Sequence, residues 1–133
     1  MFYKESFEKE LKGKTLVSIE IEKNSDDDDA ELVMKTSLGE TYRLNHYNAG
    51  GEIVFIEDVC GSLSDLIGEP LLEAEEVTSF ENPEYIKPET ITYQHNFQWT
   101  FYKLGTCKGF VTVRWYGTDN GNYSLQVDLS KDV

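Results

Sequence analysis

The sequence predicts a mainly β fold: antiparallel sheet, sandwich-like or a partly closed barrel, with a short N-terminal helix and one short helical turn. Three observations carry this. Val17, Ile19 and Ile21 alternate with Ser18, Glu20 and Glu22, the period of two that a half-buried strand requires. Aromatic and β-branched residues concentrate in "NFQWTFYKL" and "GFVTVRWYG". Turn-forming pairs such as Leu38-Gly39 and Asn120-Gly121 interrupt the strands at short intervals. An α+β arrangement stays compatible with the helical pieces.

Taken in order, Phe2, Phe7 and Leu11 give part of one helical face, and Gly13 follows as its C-terminal cap. The strand from Lys14 is followed by "NSDDDDA", a turn. "ELVMKTS" and "ETYRLNHY" then flank Leu38-Gly39 as a hairpin, so the first three strands are antiparallel in sequence order. In "EIVFIEDV", Ile53 and Phe55 occupy one face and Val54 and Ile56 the other, which predicts a central strand. Ser62 or Ser64 caps one or two helical turns within Ser62 to Ile67, ended by Gly68 and Pro70.

"LLEAEEVTS" resumes extended structure, and "FENPEYIKPET", with Pro83 and Pro88, reads as a loop. "NFQWTFYKL" and "GFVTVRWYG" pair around Gly105 to Gly109, and Asn120-Gly121 turns into a last strand, "YSLQVDL". The expected core contains Val17, Ile19, Ile21, Leu44, Phe55, Ile56, Leu66, Trp99, Phe101, Val111, Val113 and Trp115.

The 133 residues suit one domain, 1–133, with no internal repeat. A hydrophobic fraction of 39% is too rich for disorder, while no apolar run approaches the ~20 residues that cross a bilayer. No apolar signal centre opens the chain, and Cys60 and Cys107 suit reduced thiols, so a cytoplasmic protein without membrane contact is expected. The net charge of −13, from 25 acidic and 12 basic residues, repels nucleic-acid phosphates; it is read first as a solubilising surface, with attraction to a basic partner or mimicry of a phosphate backbone as the sharper alternative.

The segments "FIEDVCGSLSDLIGEPLLEAEEVTS" and "WTFYKLGTCKGFVTVRWYGTDNGNYSLQVDL" resemble a family of small, uncharacterised proteins of bacteriophages and prophages. The resemblance spans Gly13 to Leu129 and rests on an I-E-D-hydrophobic-x-G segment, an L-x-D-L-I-G turn and the W-T-F-Y-K and R-W-Y-G strands. It implies a phage accessory protein inside a bacterial cell and transfers no functional residue.

Chemistry-bearing residues are few. Glu57 and Asp58 end an apolar strand, where successive side chains point to opposite faces unless a bulge intervenes. Arg114, set inside "FVTVRWY", either forms a structural ion pair with Glu57 or Asp58 or binds an anionic ligand among Trp99, Tyr102, Trp115 and Tyr116. Glu73 and Glu75 on one strand face and Glu76 on the other are read as solvated carboxylates, with a divalent-cation surface as the sharper alternative. Asp26 to Asp29 lack the spacing of an EF-hand loop.

His46 shares a face with Tyr42 and Leu44, as a packed histidine or the general base of a cleft. Cys60, Ser62 and Ser64 lack a nucleophile motif, and no metal-ligand spacing or Gly-rich phosphate loop is present. No catalytic residue, metal or cofactor is therefore expected.

The resulting expectation is a non-enzymatic, phage-type accessory protein that binds a host protein, in host takeover or defence evasion. A nucleotide-sequestering module using Arg114 and a virion or assembly component are the alternatives. Aromatic-rich strands further suggest a homodimer.

Overall fold

The computed structural model of the chain describes residues 6–23, 30–48, 50–80, 96–119 and 123–132. Phe2, Asp26 to Asp29, Pro83, Pro88 and Asn120-Gly121 lie outside that set. Helix α1 (Ser6–Leu11) buries Phe7 and Leu11, and Gly13 follows with φ 91°, the left-handed geometry glycine takes without strain.

Strands β1 (Leu16–Lys23), β2 (Ala30–Thr36) and β3 (Thr41–Asn45) pair antiparallel in sequence order. The turn between β2 and β3 carries Gly39 at φ 83°, which fits the predicted hairpin. Next come β4 (Ile53–Cys60), a 3-10 turn (Leu63–Leu66) and β5 (Glu73–Ser79). The long hairpin β6 (Asn96–Thr106) and β7 (Gly109–Asp119) follows, then β8 (Asp128–Lys131).

The strands form two antiparallel four-stranded sheets, in orders β1-β2-β3-β8 and β4-β7-β6-β5. Leu32, Met34, Tyr42 and Leu44 of the first sheet and Tyr102, Leu104, Val113 and Trp115 of the second belong to one buried apolar cluster. Phe7 joins it from α1, its ring 4.8 Å from that of Tyr102. The architecture is thus sandwich-like, and neither sheet closes into a barrel.

Several expectations change. Strand β4 is an edge strand, paired among the described residues with β7 alone. It is apolar on both faces because Phe55 packs outward, its ring 5.9 Å from Tyr116. The segment after β7 does not return as a hairpin, because β8 pairs with β3 in the other sheet and begins only at Asp128. A register shift between Leu16 and Ser18 turns Val17 outward, so it is 54% exposed instead of part of the core. Phe101 is half-buried on the outer face, and Trp99, though fully buried, lies on that outer face too.

The end of the first sheet is tied by a charge network that alternation does not reveal. Lys14 Nζ donates to both oxygens of Glu40 at 2.8 and 2.9 Å and to the Tyr42 hydroxyl at 2.6 Å, and Lys131 Nζ lies 2.9 Å from Glu40. Hydrogen bonds from Lys14 and then Lys131 hold the Glu40 carboxyl at about 2, below its usual 4.5. A carboxyl depressed in the folded state stabilises it above the unfolded value and loses that contribution as pH falls through the folded one. Thermal unfolding from about pH 6 to about pH 2 is therefore expected to show wild type more stable than Glu40→Gln, with the gap narrowing as the acid limb is descended. A gap that stays constant with pH contradicts this role.

Candidate functional site

The two sheets differ on their outer faces. Along the first sheet, β1 to β3 present Ser18, Glu20, Glu22, Lys35, Thr41 and Arg43 outward, as a solvated antiparallel sheet should. Arg43 is the hub there: it pairs with Glu31, lies 3.0 Å from Asp132 and 3.9 Å from Glu22, and its pKa is raised, first by Asp132 and then by Glu31.

The outer face of the second sheet is aromatic. The β6–β7 register sets Trp99 opposite Tyr116 and Phe101 opposite Arg114, and the β4–β7 register sets Phe55 opposite Tyr116. The Trp99 and Tyr116 rings are 4.5 Å apart, Phe101 stacks on Trp99 at 6.5 Å, and the Arg114 guanidinium carbon is 5.5 Å from the Trp99 ring centre. Trp99 and Tyr116 are buried, Phe55, Phe97 and Phe101 are half-buried, and Phe110 at the margin is 67% exposed. Burial pushes the Tyr116 phenol up, opposed in part by the neighbouring Thr118 hydroxyl.

A register shift between Ile56 and Asp58 makes Glu57 the extra residue of a β-bulge. Two consecutive carboxylates consequently reach Arg114: Nε and Nη2 contact Glu57, and Nη2 lies 3.6 Å from Asp58. The Arg114 side chain is 12% exposed, that of Glu57 22% and that of Asp58 49%, which makes Glu57 the partner expected to matter. Arg114→Met should therefore cost about 2 kcal/mol, with a coupling to Glu57→Gln of about 1 kcal/mol and to Asp58→Asn below about 0.5 kcal/mol. Denaturant unfolding of the two double-mutant cycles measures this, and additivity in both removes the ion pair from the account.

Of the five residues considered for a ligand site, Arg114, Trp99 and Tyr116 share the outer face. Tyr102 and Trp115 point the other way, into the core between the sheets. Tyr102 donates to Glu76 at 2.9 Å, and burial pushes its phenol up. The Cys60 thiol donates to Asp58 at 3.5 Å, and that bond, with burial, pushes its pKa up, unlike an activated nucleophile. Ser62 and Ser64 hydrogen-bond each other at 2.8 Å.

His46 is packed. Nδ1 lies 2.7 Å from the Gln126 carbonyl, which can only accept, so Nδ1 carries a proton; Nε2 lies 2.9 Å from Glu52. With both nitrogens engaged and its side chain 7% exposed, the ring offers no free base to a substrate. Sequence reasoning missed Glu52, although its place six residues after His46, across Gly50-Gly51, was a usable signal of proximity. Among the described residues no group of three or more His, Cys, Asp or Glu is placed to hold a metal ion, and no helix is long and apolar enough to cross a membrane.

Fold and faces together define a two-sheet antiparallel β protein with one polar and one aromatic outer surface. The chain belongs to the family described as a domain of unknown function (DUF7448), which matches residues 9–129. No curated protein and no solved structure was found to match it.

Proposed function

We propose that the protein is a non-enzymatic, phage-type accessory factor that acts in the bacterial cytoplasm by binding a host protein through the outer face of its second sheet. The observation that carries this reading is the asymmetry between the outer faces. The half-buried Phe55 and Phe101 and the exposed Phe110 offer the contact surface, held in place by the buried Trp99 and Tyr116 beneath them, and exposed apolar surface of this kind marks protein–protein interaction sites. Asp58 and Glu75 are exposed on the same sheet, and the net charge is −13, so the fitting partner has an apolar patch rimmed by lysine and arginine.

The nucleotide-sequestering alternative loses ground to two features. The acidic residues Glu57 and Asp58 already lie against the guanidinium, and two of the five aromatic and cationic groups it needs are turned into the core. Capture from bacterial lysate at graded salt tests the proposal. One captured protein should be released by salt, lost with Phe110→Asp and retained with Val17→Asp, a change at the first sheet. Capture insensitive to Phe110→Asp, or a second copy of the chain as the sole species bound, overturns it, and light scattering identifies the latter.

A further inference from the structure

We infer that a cleft at one end of the second sheet, walled by Phe80, Phe97 and Tyr123 over Asp119, recognises the cationic side chain of a lysine or arginine on the bound protein. This rests on the protein-binding reading above and names the chemistry its partner must bring. The cleft has a volume of about 450 Å³, room for one long side chain. Phe80 is 67% and Tyr123 40% exposed, so two of its three rings are open to an arriving group. Aromatic faces carry negative quadrupole potential that draws ammonium and guanidinium groups but not neutral ones. Gln98 and Ser124 add polar atoms, while Leu125 closes the cleft against the core.

Two independent contacts seat the exposed Tyr123. Its backbone N–H donates to the Asp119 carboxylate at 2.9 Å, and Asp119 is fully buried beneath the wall. Its ring also lies against Gly50 so closely that a Cβ there would come within 2.7 Å of ring atoms. Gly50 is in turn held by its N–H donating to Glu52 at 2.8 Å, the carboxylate that faces His46. An exposed aromatic ring held at its backbone and, by its hydroxyl end, against Gly50 is preorganised, so a cation meets it with a reduced ordering cost. With 25 acidic against 12 basic residues in the chain, the long-range field acts in the same direction.

Nitrogen-15 NMR titration of the intact protein tests the cleft with N-acetyl-arginine amide, N-acetyl-lysine amide, the neutral isostere N-acetyl-citrulline amide, and putrescine as a free amine. The two cationic amides are expected to give saturable shifts centred on Gln98, Tyr123, Ser124 and Leu125, and the citrulline amide none. Tyr123→Leu should weaken arginine-amide binding about fivefold. Gly50→Ala should weaken it about threefold by displacing the ring, with the remaining spectrum unchanged. Equal shifts from the citrulline amide, or undiminished affinity in Tyr123→Leu, overturn the site, and putrescine binding at least about tenfold tighter than the arginine amide assigns it to a free amine instead. If the amides bind but Phe110→Asp leaves protein capture intact, the cation site stands and the assignment of docking to the outer face of the second sheet falls; if the amides fail to bind while Phe110→Asp abolishes capture, the cleft alone falls.

Discussion

Trp99→Ala is expected to lower the free energy of unfolding by about 4 kcal/mol, as much as truncating a core aromatic, although Trp99 lies outside the cluster between the sheets. The indole is fully buried and touches Tyr116, Phe101 and the Arg114 guanidinium, so its removal leaves a cavity lined by rings that pack on one another. Urea unfolding at equilibrium measures the loss. A value below about 1.5 kcal/mol shows that the outer aromatic layer is adherent rather than structural, and the second sheet then has one organised face instead of two.

His46→Ala is expected to cost about 3 kcal/mol, because it strips a partner from a Glu52 side chain that is 1% exposed and removes the bond to the Gln126 carbonyl. The ring joins three segments: the end of β3, the approach to β4 and the stretch leading into β8. Hydrogen exchange should accordingly show lost protection at β3 and β8 before the second sheet is affected. Glu52→Gln keeps an oxygen for Gly50 and a polar group facing Nε2, so its cost should be smaller. Equal, small losses in both variants reduce the clasp to an ordinary surface contact.

The pattern of strands was legible because the signals were local. Glycines at 13, 39 and 68 sit at positive φ where the sequence placed an end or a turn, and β1 to β3 follow in order because two short connections leave no room for another pairing. The assignment of faces was not legible, for a definite reason. In "NFQWTFYKL", Phe97, Trp99 and Phe101 hold one parity and Tyr102 and Leu104 the other, so alternation of polarity cannot say which side meets the core. Trp115 and Tyr116 repeat the ambiguity one strand over.

Bulges were equally invisible. The inserted Glu57 converts two carboxylates that should diverge into a shared partner set for Arg114, and the irregularity at Leu16/Ser18 reverses Val17. Membership of β8 in the first sheet is a long-range pairing, with Leu129 opposite Leu44, that no short window contains. The Arg114 environment was half legible: the residue types were visible, and their grouping awaited the register.

The most direct test of the protein-binding account is site-specific photo-crosslinking with a benzophenone side chain placed at Phe110, on the aromatic outer face, or at Val17, on the opposite sheet. The account predicts one discrete crosslinked partner from the Phe110 position, diminished at high salt, and none from Val17. Crosslinking to the same protein from Val17 and not from Phe110 would contradict it.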